Sequence, residues 1–200
     1  MVRISGGRHR GQPLRVPAGD GVRPTTGRVR EALFSMLQGE IAGRWVLDLF
    51  AGSGLMGLEA LSRGARFAVF IDSDAACCAT IRDNSQRLRL SEATAILQGS
   101  LPRPATLARI ESLCRQGPGV SMEVPPILFL DPPYHRGLAH ATLMEMQRWS
   151  FLVPGTLAVV EHEEGGGMGP FSSWEPLQCR RYGDTRISVF SKIGGQADRE

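Results

Sequence analysis

Apolar residues in this chain follow two rhythms. Between Val29 and Ile41 they recur at helical spacing, with Val29, Ala32, Leu33 and Leu37 on one stripe and Phe34 and Ile41 a turn away. That spacing predicts a helix beginning near Thr26, with Thr25 or Thr26 as its N-cap. After Gly43, short apolar runs alternate with helix-spaced segments. Strands are expected at 45–49, 67–71, 94–97, 127–130 and 156–161, and helices at 54–63, 74–88, 105–115 and 138–149. The runs are nearly continuous in apolar residues, as strands are when both sheet faces are covered. Segments 176–181 and 186–192 flank Gly183-Asp184 and predict an antiparallel hairpin. The expectation is an α/β fold: a mostly parallel, seven-stranded sheet with helices on both faces and a C-terminal antiparallel hairpin.

The first 28 residues break both rhythms. Gly6-Gly7, Gly11, Pro13, Pro17, Gly19, Gly21 and Pro24 make the segment extended or looped, with room for short strands near Arg3 and Leu14. Charge separates it too. The chain of 200 residues carries a net +3, but residues 1–30 hold seven Arg against one acid, Asp20, while the other 170 residues sum to −3. An acid-poor, glycine-interleaved basic arm suits phosphate contacts, with Arg3, Arg8, Arg10 and Arg15 as candidates. The layout expected is a basic, RNA-facing extension at 1–28, one domain at 29–194 and a flexible tail at 195–200.

Small counts narrow the class. The four cysteines show neither CxxC nor zinc-like spacing, and no histidine pair has metal-ligand spacing, so reduced thiols and no metal are expected. The longest apolar runs are strand-sized, and no apolar stretch follows the basic N-terminus as in a secretory signal. A cytoplasmic protein with no membrane contact is the expectation.

The chemistry concentrates at two strand ends. The first strand of the alternation runs into Asp48-Leu49-Phe50-Ala51-Gly52-Ser53-Gly54, with Gly57 completing G-x-G-x-x-G and Asp72 closing the next strand. Glycines there let a ligand approach the backbone, and an acid at the second strand end takes ribose hydroxyls. Asp48 decides which nucleotide. Its carboxylate opposes a pyrophosphate but favours an ammonium group, so S-adenosylmethionine (SAM), with an amino group, a sulfonium and no phosphate, fits better than NAD.

The fourth strand ends in Asp131-Pro132-Pro133-Tyr134. An exocyclic base amine is a poor nucleophile because its lone pair is delocalised into the ring. Two acceptors, the Asp131 side chain and the Pro132 carbonyl, can hold its hydrogens and turn that lone pair outward. Consecutive prolines fix the backbone. Tyr134 offers a ring on which an extruded base stacks.

The loop at 48–54 with Asp131-Pro132-Pro133-Tyr134 resembles the SAM-dependent amino-methyltransferases of nucleic-acid bases. Arg3-Ile4-Ser5-Gly6-Gly7, Arg23-Pro24-Thr25-Thr26, Arg28-Val29-Arg30-Glu31-Ala32-Leu33-Phe34 and Gly57-Leu58-Glu59-Ala60-Leu61-Ser62-Arg63-Gly64 narrow this to the bacterial 16S rRNA guanine-N2 methyltransferases of the RsmD type. That resemblance implies a Rossmann-like SAM-dependent methyltransferase fold. It also implies methyl transfer to N2 of one guanine of 16S rRNA in the assembling small subunit, by a monomer. Carried over by position, Asp48, Phe50, Ala51, Gly52, Ser53, Gly54 and Asp72 would hold SAM, with Ser100 near its adenine. Asp131, Pro132 and Tyr134 would hold the guanine. Arg23, Thr25, Thr26, Arg28 and Arg30 would line the entrance between cofactor and RNA. Two positions depart from the family pattern: Ser35 replaces Asn, and Asp72 replaces the commoner Glu. Alternatives sharing part of these signals are a DNA adenine-N6 or cytosine-N4 methyltransferase and, on G-x-G-x-x-G alone, an NAD-dependent oxidoreductase.

Overall fold

A computed structural model of the chain describes residues 2–17, 27–116, 124–133, 136–163 and 168–194. It opens with a small antiparallel pair, β1 (Val2–Arg3) and β2 (Pro13–Leu14), followed by α1 (Gly27–Met36). Strands and helices then alternate: β3 (Trp45–Leu49), α2 (Leu55–Ser62), β4 (Phe67–Asp72), α3 (Ala75–Arg87), β5 (Thr94–Gln98), α4 (Pro104–Gln116), β6 (Ile127–Leu130), α5 (Leu138–Met146) and β7 (Leu157–Glu163). The hairpin β8 (Trp174–Tyr182) and β9 (Thr185–Lys192) comes last.

The large sheet has the order β5-β4-β3-β6-β7-β9-β8. Its first five strands are parallel, while β9 runs antiparallel to both β7 and β8. The seven strands and the closing hairpin are those the apolar rhythm predicts. Alternate residues feed two cores. Val46, Phe70, Phe129 and Val159 join Leu33 and Phe34 of α1, Leu58 of α2 and Ile81 of α3 on one face. Leu47, Val69, Leu128 and Val160 join Ile110 of α4 and Leu143 of α5 on the other. Both faces are therefore covered, which is why the strands carry so few polar residues. No described helix is long and apolar enough to cross a membrane.

Several boundaries differ from the periodicity: α5 ends at Met146 instead of 149, β8 starts at Trp174 instead of 176, and two others differ for a clear local reason. The helical stripe continues to Ile41, yet α1 ends at Met36. Gly39 takes φ +87°, and short-range turns tuck Leu37 and Ile41, both buried, into the same core. Strand β7 runs two residues past Glu161, because His162 and Glu163 pair with Arg186 and Thr185 of β9.

The N-terminal pair packs on the body instead of standing off it. Ile4 and Leu14 are 1% and 4% exposed and belong to the core of the α2 face. The loop between them seats on the end of α2. Arg8 N–H donates to the Ser62 carbonyl at 2.7 Å, His9 N–H donates to Ser62 Oγ at 2.9 Å, and Ser62 Oγ donates to the Gly6 carbonyl at 2.6 Å. Gly7 sits so close that a Cβ would fall 1.9 Å from the Ser62 carbonyl oxygen, and its φ of +75° suits glycine.

Candidate active site

The parallel strands all end at one edge, and the sheet order reverses direction between β3 and β6. Chain leaving β3 returns through α2 to β4 on one side, while β6 lies on the other side of β3. Such a switch point opens a crevice at the carboxyl ends of the strands. Three carboxylates converge on it. Asp131 follows the Leu49–Leu130 pair by one residue, and Asp72 follows the Leu49–Ile71 pair likewise, so both stand level with Phe50. Asp48 lies one residue inside the end of β3 and is 3% exposed.

The loop after β3 is bent hard to keep these groups together. Phe50 adopts φ +67°, a left-handed conformation that a non-glycine residue rarely takes, and Gly52 and Gly54 follow at +54° and +76°. Backbone amides thereby turn toward the acids. Gly52 N–H donates to Asp72 Oδ2 at 2.7 Å, and Asp74 N–H donates to Asp72 Oδ1 at 2.9 Å. Gly57 N–H, in the first turn of α2, donates to Asp48 Oδ2 at 2.9 Å. The third glycine of the fingerprint has a packing role as well: a Cβ on Gly57 would lie 2.4 Å from the Phe70 ring.

Burial holds the Asp48 carboxyl well above the usual carboxylate range. The Gly57 hydrogen bond works against that shift, and the charges of Asp131 and Asp72 add to it. The loop at 48–54 carries no cation of its own. A pyrophosphate placed here would meet three acids, whereas an ammonium or sulfonium would relieve their repulsion. The donor set fits SAM on that ground: a cationic ligand, a ribose within reach of Asp72, and a close-packed glycine turn.

Other expected site residues are placed as follows. Ala51 and Ser53 are buried in the loop, and Phe50 and Gly52 are half-buried. Ser100 follows Gly99, whose N–H donates to the Asp72 carbonyl, so it borders the same crevice. Asp131 is half-buried, Pro132 buried and Pro133 exposed. Tyr134, Arg23, Thr25, Thr26 and the side chain of Arg28 lie outside the described residues.

The arm arginines divide. Arg8 and Arg10 are exposed near the far end of α2, roughly 12 Å along the helix from the glycine loop at 1.5 Å per residue. Arg3 donates to the Gly11 carbonyl at 2.8 Å and closes the loop, and Arg15 pairs with Asp83 at 3.0 Å. Arg30 departs from the expectation. It is 6% exposed, donates to the Arg3 carbonyl at 2.8 Å and faces Glu59, so it braces the arm from inside and presents no surface to a phosphate.

Two residues without a role in the sequence motifs do much of this bracing. Glu59, fully buried on α2, accepts from Ser5 N–H at 2.7 Å, from Ser5 Oγ at 2.8 Å and from Arg63 Nε at 2.8 Å. Asn84, fully buried on α3, accepts from Arg15 N–H at 2.8 Å and donates to the carbonyls of Arg15 and Ser53. Glu59 lies in the Gly57–Gly64 segment that carries the resemblance, and for Asn84 the sequence signal is an amide in the middle of a helical segment.

Comparison with known proteins agrees with this geometry. Residues 2–191 match the family model described as Conserved hypothetical protein 95. The chain is 30% identical over 195 residues to a putative rRNA methyltransferase, YlbH, of Bacillus subtilis (strain 168), covering 96% of this chain and 100% of that one. It is 36% identical over 168 residues to the ribosomal RNA small subunit methyltransferase D of Escherichia coli (strain K12), covering 84% and 78% of the two chains. Among solved structures, a putative methyltransferase yhhF from Escherichia coli superposes with a TM-score of 0.76 at 31% identity, over 96% of this chain and 97% of that one.

Proposed function

The chain belongs to the Conserved hypothetical protein 95 family and has the Rossmann-like fold of SAM-dependent methyltransferases, and we propose that it methylates the exocyclic N2 of one specific guanine of 16S rRNA in the assembling small subunit. The observation that carries this reading is the convergence of Asp48, Asp72 and Asp131 at the β3–β6 switch point. The names of the Bacillus subtilis and Escherichia coli relatives support ribosomal RNA as the substrate class.

When bound, SAM supplies an electrophilic methyl group on a sulfonium. The chain's residues do the rest. Asp48 holds the ammonium of the amino-acid end, Asp72 the ribose hydroxyls, and the strained turn at Phe50 with Gly52 and Gly54 lets the ligand lie against backbone. Asp131 and the Pro132 carbonyl accept the two hydrogens of the guanine amine and point its lone pair, and Tyr134 stacks on the base. Asp131 is also an acceptor for the proton that the nitrogen sheds once alkylated. Catalysis is chiefly positioning, with neither a metal nor a covalent enzyme intermediate required.

The test is incubation of the protein with labelled SAM and, in parallel reactions, small subunits lacking the modification or duplex DNA, followed by mapping of the labelled nucleotide. Label on a guanine N2 of 16S rRNA is expected. Label on adenine or cytosine amines of DNA would move the enzyme to the DNA-modifying class. Binding of NAD, with no binding of SAM and no label transfer, would overturn the methyltransferase reading.

A further inference from the structure

A second concave site lies on the same edge of the sheet. Strands β7 and β9 overrun the level of Asp131, so that Glu161, His162 and Glu163 pair with Ile187, Arg186 and Thr185. On the α5 side of this extension is a groove of about 610 Å³, lined by His162, Phe171, Trp174, Arg186, Ser188 and Phe190 among others. Arg186, Ser188 and Phe190 alternate along β9, so the groove follows that strand for roughly 13 Å up to the edge where Asp131 stands.

Its chemistry differs from that of the cofactor crevice. Among the described residues the lining contains one arginine and no acid, where the crevice gathers three acids. Aromatic rings form its walls: Phe171 stacks on His140 with centroids 5.1 Å apart and meets Phe190 edge-on at 5.5 Å. His162 Nδ1 lies 3.0 Å from the Glu163 carbonyl, which can only accept, so Nδ1 carries a proton, and Nε2 lies 2.9 Å from Ser188 Oγ. Burial lowers the His162 pKa and the Arg186 charge adds to that shift, while the bond to the Glu163 carbonyl and the Glu163 charge work against it. Arg181, exposed, stands opposite Arg186 in the β8–β9 register, and its Nε donates to the Gly183 carbonyl at 2.9 Å in the hairpin turn. Aromatic walls beside the Arg186 guanidinium match a base joined to a phosphate.

We propose that this groove seats a nucleobase of the RNA strand adjoining the guanine that is modified, with Arg186 on its phosphate. The inference rests on the RNA-methylating reading above and adds a substrate contact distinct from Asp131, Pro132 and Tyr134. It places the strand across the end of the sheet, from the arm side to the hairpin side.

Three variants test it: Arg186→Gln, which removes the cation, Phe171→Ala, which removes the ring, and Phe171→Leu, which keeps apolar volume without a ring. Each is assayed on undermodified small subunits and for binding to protein-free 16S rRNA, with melting temperature as the fold control. The expected result is a KM for subunits and a Kd for free rRNA each raised about ten-fold, as removal of one stacking or phosphate interaction produces. The kcat and the affinity for S-adenosylhomocysteine should stay within two-fold of wild type. Unchanged KM in Arg186→Gln and Phe171→Leu would overturn the proposal while leaving the methyltransferase reading intact. A raised KM on subunits with unchanged Kd for free rRNA would mean that the groove meets ribosomal protein, and would overturn it too. Wild-type protein inactive on subunits and unable to bind rRNA would remove both readings together.

Discussion

Arg30 Nε lies 3.6 Å from Glu59 Oε2, with the two side chains 7% and 0% exposed. The pair joins the start of α1 to the middle of α2, and through Ser5 and the Arg3 carbonyl it also holds the N-terminal strand pair. Two residues before Glu59 on the same helix, Gly57 N–H is bound to Asp48. Helix α2 thus carries the arm at one point and the cofactor carboxylate at another, on a rigid element that fixes their separation.

Removing Glu59 leaves Arg30 as a buried cation without its counter-charge. Truncation of one partner of a buried pair costs about 3–5 kcal/mol. Glu59→Ala is therefore expected to lose about that much in chemical denaturation. Glu59→Gln, which can still accept from Ser5, should lose less. Equal stability of Glu59→Ala and wild type would show that the pair contributes nothing net.

The fold was legible because its signals are local and repeated: each strand is a short apolar run, each helix a stripe, and the boundaries moved by a few residues, as where Gly39 or the β9 pairing intervened. The crevice was legible for a related reason. Parallel strands end at one edge, so Asp48, Asp72 and Asp131, each at the end of a predicted strand, had to converge. That Arg30 goes inside was not legible. Nothing local marks it, and only the three-dimensional approach of Glu59, 29 positions later, draws it in. The groove along β9 was hidden for the same cause, since Phe171, His162 and Arg186 belong to separate segments that meet only in the folded sheet.

The Asp48 carboxyl is raised by burial, so the folded chain holds its proton more tightly than the unfolded chain does. Its contribution to stability is then greatest at low pH and falls as pH climbs from the unfolded value through the folded one. The ammonium group of a bound ligand reverses the balance by favouring the ionised form. S-adenosylhomocysteine affinity should therefore rise with pH and level off above the raised pKa, with the complex releasing a proton in the rising range. Calorimetry in buffers of different ionisation enthalpy measures that release. Asp48→Asn should abolish it and weaken binding at least ten-fold.

Gly57→Ala drives a methyl group to 2.4 Å from the Phe70 ring, which is fully buried in β4 and has little room to turn. Overpacking of this kind costs about 1–3 kcal/mol. Because the same residue's N–H holds Asp48, displacement of α2 should also weaken S-adenosylhomocysteine binding. A lowered melting temperature together with a raised Kd is the expected signature. A lowered melting temperature alone would separate the packing role from the site.

Asp131 contributes to the raised pKa of Asp48 by its charge, so its removal acts on the two halves of the site in opposite directions. Asp131→Asn should slightly tighten S-adenosylhomocysteine binding below the raised pKa of Asp48, where that carboxyl then ionises more readily, and leave it unchanged above that pKa. Methylation of undermodified subunits should fall by at least 100-fold, as expected when an acceptor placed for the reacting amine is removed. Single-turnover kinetics with saturating SAM isolates that step. Turnover near the wild-type rate would take Asp131 out of the base site.

The exposed arginines of the arm should behave unlike the buried one. Arg8 and Arg10 stand at the surface of a loop whose own backbone is fixed to Ser62, so their neutralisation removes charge and leaves the scaffold intact. The double variant Arg8→Ala, Arg10→Ala should melt at the wild-type temperature. Its rRNA affinity should be lower, and the slope of log affinity against log salt should flatten by about 0.7–0.9 for each phosphate no longer neutralised. Arg30→Ala, in contrast, takes away the partner of Glu59 and the bond to the Arg3 carbonyl, and should lower the melting temperature first. If the double variant keeps both its affinity and its salt slope, the arm's positive charge faces solvent, and the attachment of β1 and β2 to α2 serves packing alone.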